Sequence, residues 1–500
     1  MKNLHLSIVL FFSLVFFAGN IMGQESTEQW RPTIHFSPKK NWTNDPNGLI
    51  YFNGYYHLFF QHNPSGSQWG NMSWGHAKSK DLLHWEELPV AIPKDSAYIF
   101  SGCVVLDKDH VSGLGEPKKP LFIAIYTADF PNKGEEQHLA YSNDEGLTWV
   151  KYKKNPIINI HLKDFRDPNV FWHAPSKQYI MAVSKPKEFI IQFYGSQNLI
   201  QWDLLSEFGQ QGDVEKIWEC PSLLQIPVEG KLGSKKWVLF VSSQGPYKDY
   251  VGMQYFVGDF DGKNFINENS ASTKLYVDHG KDFYAAIPFS NVDSEKPIWL
   301  GWALNWAYAK DQPTAPWRGQ MSSVRELSLN ATPQGLRLKQ AFMPKMDRLK
   351  PEFKRKNFKI SSTSKLQNFN FSNKKSYLIE LEVLGSEAKN WGISIQGVGV
   401  NSNEKIDIGF DEVNKQWYVD RKKSGKIIHK GFLVDDRAEF IKGKGKKIRL
   451  LLDHSVLEVL AQDGLVAISS LRFPMANEEE FQLFSDGKET IIKQLTIWGP

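Results

Sequence analysis

One unit of chain recurs five times, and that periodicity narrows the possible folds more than any other feature. Apolar runs return as YYHLFFQ (55–61), PLFIAIYT (120–127), KQYIMAVS (177–184), KKWVLFVS (235–242) and KPIWLGWA (296–303). Each follows a more polar segment: NDPNGLIYF (44–52), FSGCVVLD (100–107), FRDPNVFWH (165–173), WECPSLLQI (218–226) and DFYAAIPFS (282–290). After most of them comes a third element, as in SKDLLHWEEL (79–88) or SQNLIQWDLL (196–205). Short aromatic and β-branched runs bounded by Asn, Asp, Gly and Pro, with no helical period, read as all-β. The markers Asp45, Ser101, Asp167, Glu219 and Asp282 are 56, 66, 52 and 63 residues apart. That spacing, with three or four strands per unit, fits a propeller blade better than a sandwich. The expectation is a five-bladed β-propeller over 30–345. Its polar first strands would line the central channel, bringing one motif per blade to one place.

The rest of the chain reads differently. Residues 346–366 are basic and loop-like, which predicts a connector. Over 367–500, strands such as YLIELEVL (377–384), KIRLLLD (447–453) and VLEVLAQDG (456–464) predict a C-terminal β-sandwich. The basic run KGKGKK (442–447) reads as a solvated turn, since no aromatics interleave with its charges. At the start, Lys2 precedes the apolar run Leu6–Gly19, too short to cross a bilayer. Residues 1–23 are therefore expected to be a signal peptide, cleaved between 19 and 24, that directs the protein to a periplasm or the exterior. No later stretch reads as a membrane span.

Composition then excludes classes. The 33 Phe, 17 Tyr and 17 Trp exclude disordered, collagen-like and coiled-coil chains. Two cysteines exclude a disulfide scaffold or a multi-cysteine metal site. A net charge of +5 without a clustered basic face argues against nucleic acid as a partner. No cofactor or metal is expected, and the oligomeric state stays open, a monomer being the simplest case.

Three carboxylates stand on separate units: Asp45 in NWTNDPNG, Asp167 in FRDPNV and Glu219 in WECP. Singly, each has a plain explanation: a turn, an Arg–Asp pair, an exposed Glu. Jointly, they occupy the same place in the repeat. Carboxylates gathered at a channel suit glycosidic bond cleavage, where one attacks and another protonates.

With these motifs the chain resembles glycoside hydrolase family 32, the β-fructofuranosidases (invertases, inulinases and levanases). NWTNDPNG is similar to the family's nucleophile motif, and FRDP and WECP to its other acidic motifs. GYYHLFFQHNP (54–64), WGHAKSKDLLHW (74–85), FSG (100–102) and DFYA (282–285) match further segments, and DHSVLEV (453–459) resembles the hallmark of its sandwich. The resemblance implies Asp45 as nucleophile, Glu219 as general acid/base and Asp167 as the group that holds sugar hydroxyls. It also implies fructose contacts at Asn44, Gln61, Trp69, Phe100, Ser101, Arg166 and Trp302 (Trp299, Trp306 and Trp317 being close rivals of the last in sequence), with Tyr284 and Asp282 behind them. The implied substrates are fructans, such as levan or inulin, and sucrose.

In those roles Asp45 should stay ionised on donors from its turn, and Glu219 should start protonated through burial beside Trp218. Arg166 would position Asp167. Cys220 could tune its neighbour, and a disulfide to Cys103 is not expected because their blades would not be adjacent. The sequence leaves open a transfructosylase on the same scaffold, a non-catalytic carbohydrate-binding propeller, and an arabinan-type hydrolase.

Overall fold

The computed structural model describes residues 27–499, apart from 367, 368, 370, 373, 374 and 402. The expected signal peptide at 1–23 lies outside the described residues. The architecture is all-β: a five-bladed propeller followed by a sandwich of two six-stranded sheets.

The blades begin with the strands Asn41–Phe52, Tyr98–Leu106, Arg166–His173, Glu219–Pro227 and Tyr284–Pro288. Each first strand lies against the first strands of both neighbouring blades, the fifth returning to the first. The second strands explain why the sequence repeats as unbroken apolar runs. Both faces of each are buried, and alternate residues serve opposite neighbours. In blade II, Phe122, Ala124 and Tyr126 pack toward blade I, with Phe59 and Trp74. Leu121, Ile123 and Ile125 pack toward blade III, with Met181 and Val183. Ile180 and Ala182 then meet Leu239 and Val241 of blade IV, while Val238 and Phe240 meet Trp299 of blade V. Ile298 and Leu300 close the circle against Leu58 and Phe60 of blade I. A backbone link reinforces this closure: Trp317–Arg318, from the fifth unit, pairs in parallel with Asn41 and Trp42.

The stretch 346–366, expected to be a loop-like connector, instead carries sandwich strands. Phe353–Ile360 pairs with Thr490–Trp498, and Ser364–Lys365 pairs with Glu479–Ser485. Its charges misled the reading: Lys354, Arg355, Lys356 and Lys359 occupy outward positions on an edge strand, while Phe358 and Ile360 face the core.

The sandwich is fastened to the propeller by buried polar groups. Asp453, of DHSVLEV, accepts hydrogen bonds from the backbone N–H groups of Thr33, Ile34 and His35 at 2.9–3.3 Å, and pairs with the His35 ring at 2.8 Å. Glu458 accepts from the Ser323 N–H at 3.0 Å and lies 3.4 Å from Arg325. Arg421 reaches across to Asp282 at 2.7 Å, and Tyr308 donates to the same carboxylate at 2.5 Å.

Candidate active site

The first strands are irregular where the motifs sit. Pairing with the second strand breaks between Thr43 and Ile50, between Ile99 and Gly102, between Arg166 and Asn169, between Glu219 and Ser222, and between Tyr284 and Ile287. A bulge leaves residues unpaired and re-aims their side chains, here into the channel. Asp167, Cys220 and Ala285 hold positive φ angles of 65°, 46° and 53°. Such strain in non-glycine residues costs about 1–3 kcal/mol each and concentrates at functional sites.

These bulges supply Asn44, Asp45, Phe100, Ser101, Arg166, Asp167 and Glu219 to a cavity of about 350 Å³, which Gln61 of a second strand and the loop residues Trp69 and Trp306 complete. Nine of the sequence-derived residues are thus brought together across four blades. Trp302 is not among them. It is fully buried, packed below Trp42 and Trp306 at ring distances of 6.1 and 4.8 Å. Trp302 ends a strand whose face is committed to the core, whereas Trp306 lies in the loop beyond and half-exposes its ring to the cavity. Asp282 also lies elsewhere, at the sandwich interface.

Asp45 is braced on both oxygens. Asn44 Nδ2 donates to Oδ1 at 3.0 Å, and the Trp42 indole fixes that amide by donating to its oxygen at 2.7 Å. Ser101 donates to Oδ2 at 2.8 Å, and the Cys220 thiol lies 3.6 Å from it. These side chains, rather than the backbone N–H groups expected of the turn, are its donors. Burial, then the nearby Glu219 charge, outweighs them and raises the Asp45 pKa to about 6.

Asp167 receives the Cys220 N–H at 2.9 Å, and its own N–H donates to Thr127. Burial and Glu219 push its pKa well up, with the Arg166 charge opposing. Burial next to these carboxylates also pushes the Cys220 thiol well up, so it stays protonated. Both cysteines are free and buried.

Glu219 accepts from Arg166 Nη1 at 3.0 Å and from the Tyr284 hydroxyl at 2.7 Å. Trp218 does not contribute as expected. Its indole turns into the core between blades III and IV and donates to the Asp213 carbonyl. Arg166 likewise differs from expectation, since its ion pairs run to Glu219, Glu135 and Asp164 rather than Asp167. Glu135 engages Nε with both oxygens at 3.0 and 2.9 Å. Glu135 and Asp164 escaped the sequence reading because neither belongs to a motif, Thr127 ends the run PLFIAIYT without being singled out, and Trp306 was only a neighbour of the chosen Trp302. Among the described residues, no group of His, Cys, Asp and Glu is arranged to hold a metal ion.

Comparison with known proteins agrees with this arrangement. Residues 35–341 match the glycosyl hydrolases family 32 N-terminal domain, and 346–499 match the family 32 C terminal domain. Levanase from Bacillus subtilis (strain 168) is 40% identical over 522 residues, covering 100% of this chain and 76% of its own length. The extracellular exo-inulinase of Aspergillus niger is 33% identical, covering 93% of each chain. Among solved structures, the β-fructofuranosidase of Schwanniomyces occidentalis complexed with fructosyl-erythritol superposes with a TM-score of 0.86. It is 34% identical and covers 94% of this chain and 98% of its own. Sequence motifs, blade order and cavity therefore lead to one conclusion: this chain belongs to glycosyl hydrolase family 32.

Proposed function

We propose that the protein is a retaining glycosidase that releases fructose from β-fructosides (fructans such as levan or inulin, and sucrose). The observation that carries this reading is the opposed support of two carboxyls in one cavity. Asp45 is held by Asn44 and Ser101 on one side, and Glu219 by Arg166 and Tyr284 on the other.

Ionised Asp45 attacks the anomeric carbon while Glu219 gives its proton to the departing glycosidic oxygen. Water, deprotonated by Glu219, then releases fructose from the fructosyl-enzyme with retained configuration. The Tyr284 hydroxyl can donate to a carboxylate and accept from a carboxylic acid, so it stays bonded to Glu219 through both halves of the cycle. Asp167, held by the Cys220 N–H, bonds the sugar hydroxyls together with Asn44 and Gln61. Trp69, Phe100 and Trp306 form the apolar wall.

The similarity to an extracellular exo-inulinase supports exo-action on a terminal fructose. The expected leader and the extracellular relative support export of the protein.

The test is a product profile on purified levan, inulin and sucrose, with Glu219→Gln as control. Fructose as the sole early product from polymer is expected, with release falling about 10²–10⁴-fold in the variant. A ladder of oligomers would overturn exo-action, longer oligosaccharides from sucrose would indicate transfer, and unchanged release by Glu219→Gln would remove the hydrolase reading.

A further inference from the structure

We propose that the far mouth of the propeller channel is a second carbohydrate site, which takes fructosyl units of a polymeric substrate away from the catalytic cavity. The identity of the sugar rests on the function proposed above; the existence of the site rests on its own geometry. The strand Arg166–His173 runs from the catalytic cavity at Asp167 to Trp172, five residues or about 16 Å further on. There a separate cavity of about 310 Å³ opens, sharing no lining residue with the catalytic one.

Its lining combines aromatic faces with side-chain amides. Trp172 belongs to an innermost strand yet is 50% exposed, and Tyr179 holds its ring edge-on at 4.9 Å. Asn169 lines the same cavity at 7% exposure. Gln225, opposite Trp237 across the blade IV strands, adds a second amide to the lining. The single cation there, Lys296, is already met by Glu229 at 3.2 Å and Glu326 at 3.4 Å. The cavity thus presents rings and amides with no uncommitted charge.

That chemistry selects an uncharged polyol ring. Ring C–H groups pack on an indole face, while amides can donate to and accept from hydroxyls. The walls are built in advance, since Ser290 bonds the carbonyls of Leu49 and Val104 at 3.1 and 3.0 Å and so ties three blades together. An exo-acting enzyme gains from such a site, because holding one part of a polymer raises the local concentration of its other chain ends.

Trp172→Ala and Gln225→Ala, each made in the full chain, test the proposal. Expected is a sucrose kcat/KM within about twofold of wild type, with the KM for levan or inulin rising about fivefold in Trp172→Ala, the size of one lost aromatic contact. In native gels containing levan or inulin, Glu219→Gln protein should be retarded, and less so when Trp172→Ala is added. Unchanged polymer KM and unchanged retardation in both variants would overturn the site. A wild-type protein that releases no fructose from any substrate would overturn the function instead, and its retardation with and without Trp172→Ala would still decide the site.

Discussion

Asp45 shows how burial and catalysis pull against each other. Its folded pKa of about 6 lies above the ordinary 3.8, so the folded state binds the extra proton between these values. Stability therefore falls as pH rises through that window, by about 3 kcal/mol in all. Asp45→Asn should melt higher than wild type above pH ~7, and the two should converge below pH ~4, as thermal unfolding across pH would show. In the proposed mechanism activity runs the other way, since only the ionised form attacks. The acid limb of kcat/KM should lie near pH 6, and Ser101→Ala, which removes a donor to the carboxylate, should move it upward. Glu135 acts at one remove, orienting Arg166 against Glu219. Glu135→Gln should lower kcat about tenfold with little change in KM and should distort the pH profile, which steady-state kinetics would resolve. The carboxylates themselves were legible in the sequence because each sits in a motif at a fixed place in the repeat. Their partners Asn44, Ser101, Arg166 and Tyr284 were legible for the same reason, whereas the contacts of Glu135 and Thr127 were not, because these residues reach the site from neighbouring strands.

Strands, and the bulges in them, decide where those side chains point. The blade count and order could be read from the second strands, whose two buried faces leave only apolar residues. The connector could not, because an edge strand with lysines outward looks like a loop in sequence. Tryptophan choice failed for a related reason: Trp302 and Trp306 lie four residues apart, and only the end of the strand Ile298–Trp302 separates core from cavity. One element carries an unusual constraint. Gly319 has a φ of +88°, and a Cβ there would stand 2.0 Å from the carbonyl oxygen of Thr43, two residues before Asp45. Gly319→Ala should cost more than about 2 kcal/mol, read as a fall in melting temperature, and should depress kcat by shifting Asn44 and Asp45.

Across the whole molecule, the two folding units share buried charge. Arg421, in the sandwich, pairs with Asp282, two residues before Tyr284. Lys281 pairs with Asp436, and Arg325 with Asp278 and Glu458. Removing one partner of such a pair typically costs about 3–5 kcal/mol. Arg421→Ala should therefore split a single calorimetric transition into two and lower kcat through the Tyr284 strand. The DHSVLEV segment was recognisable in the sequence, but its task of gripping Thr33–His35 was not, since those residues lie more than 400 positions away. The pairing of Trp317–Arg318 with Asn41 and Trp42 carries a consequence for synthesis. The strand bearing Asp45 is synthesised early but lacks its parallel neighbour until the fifth unit has followed. Contacts of such long separation form late and slowly. A chain that stops before Trp317 therefore leaves Asn41 and Trp42, just ahead of Asp45, with an unpaired strand edge.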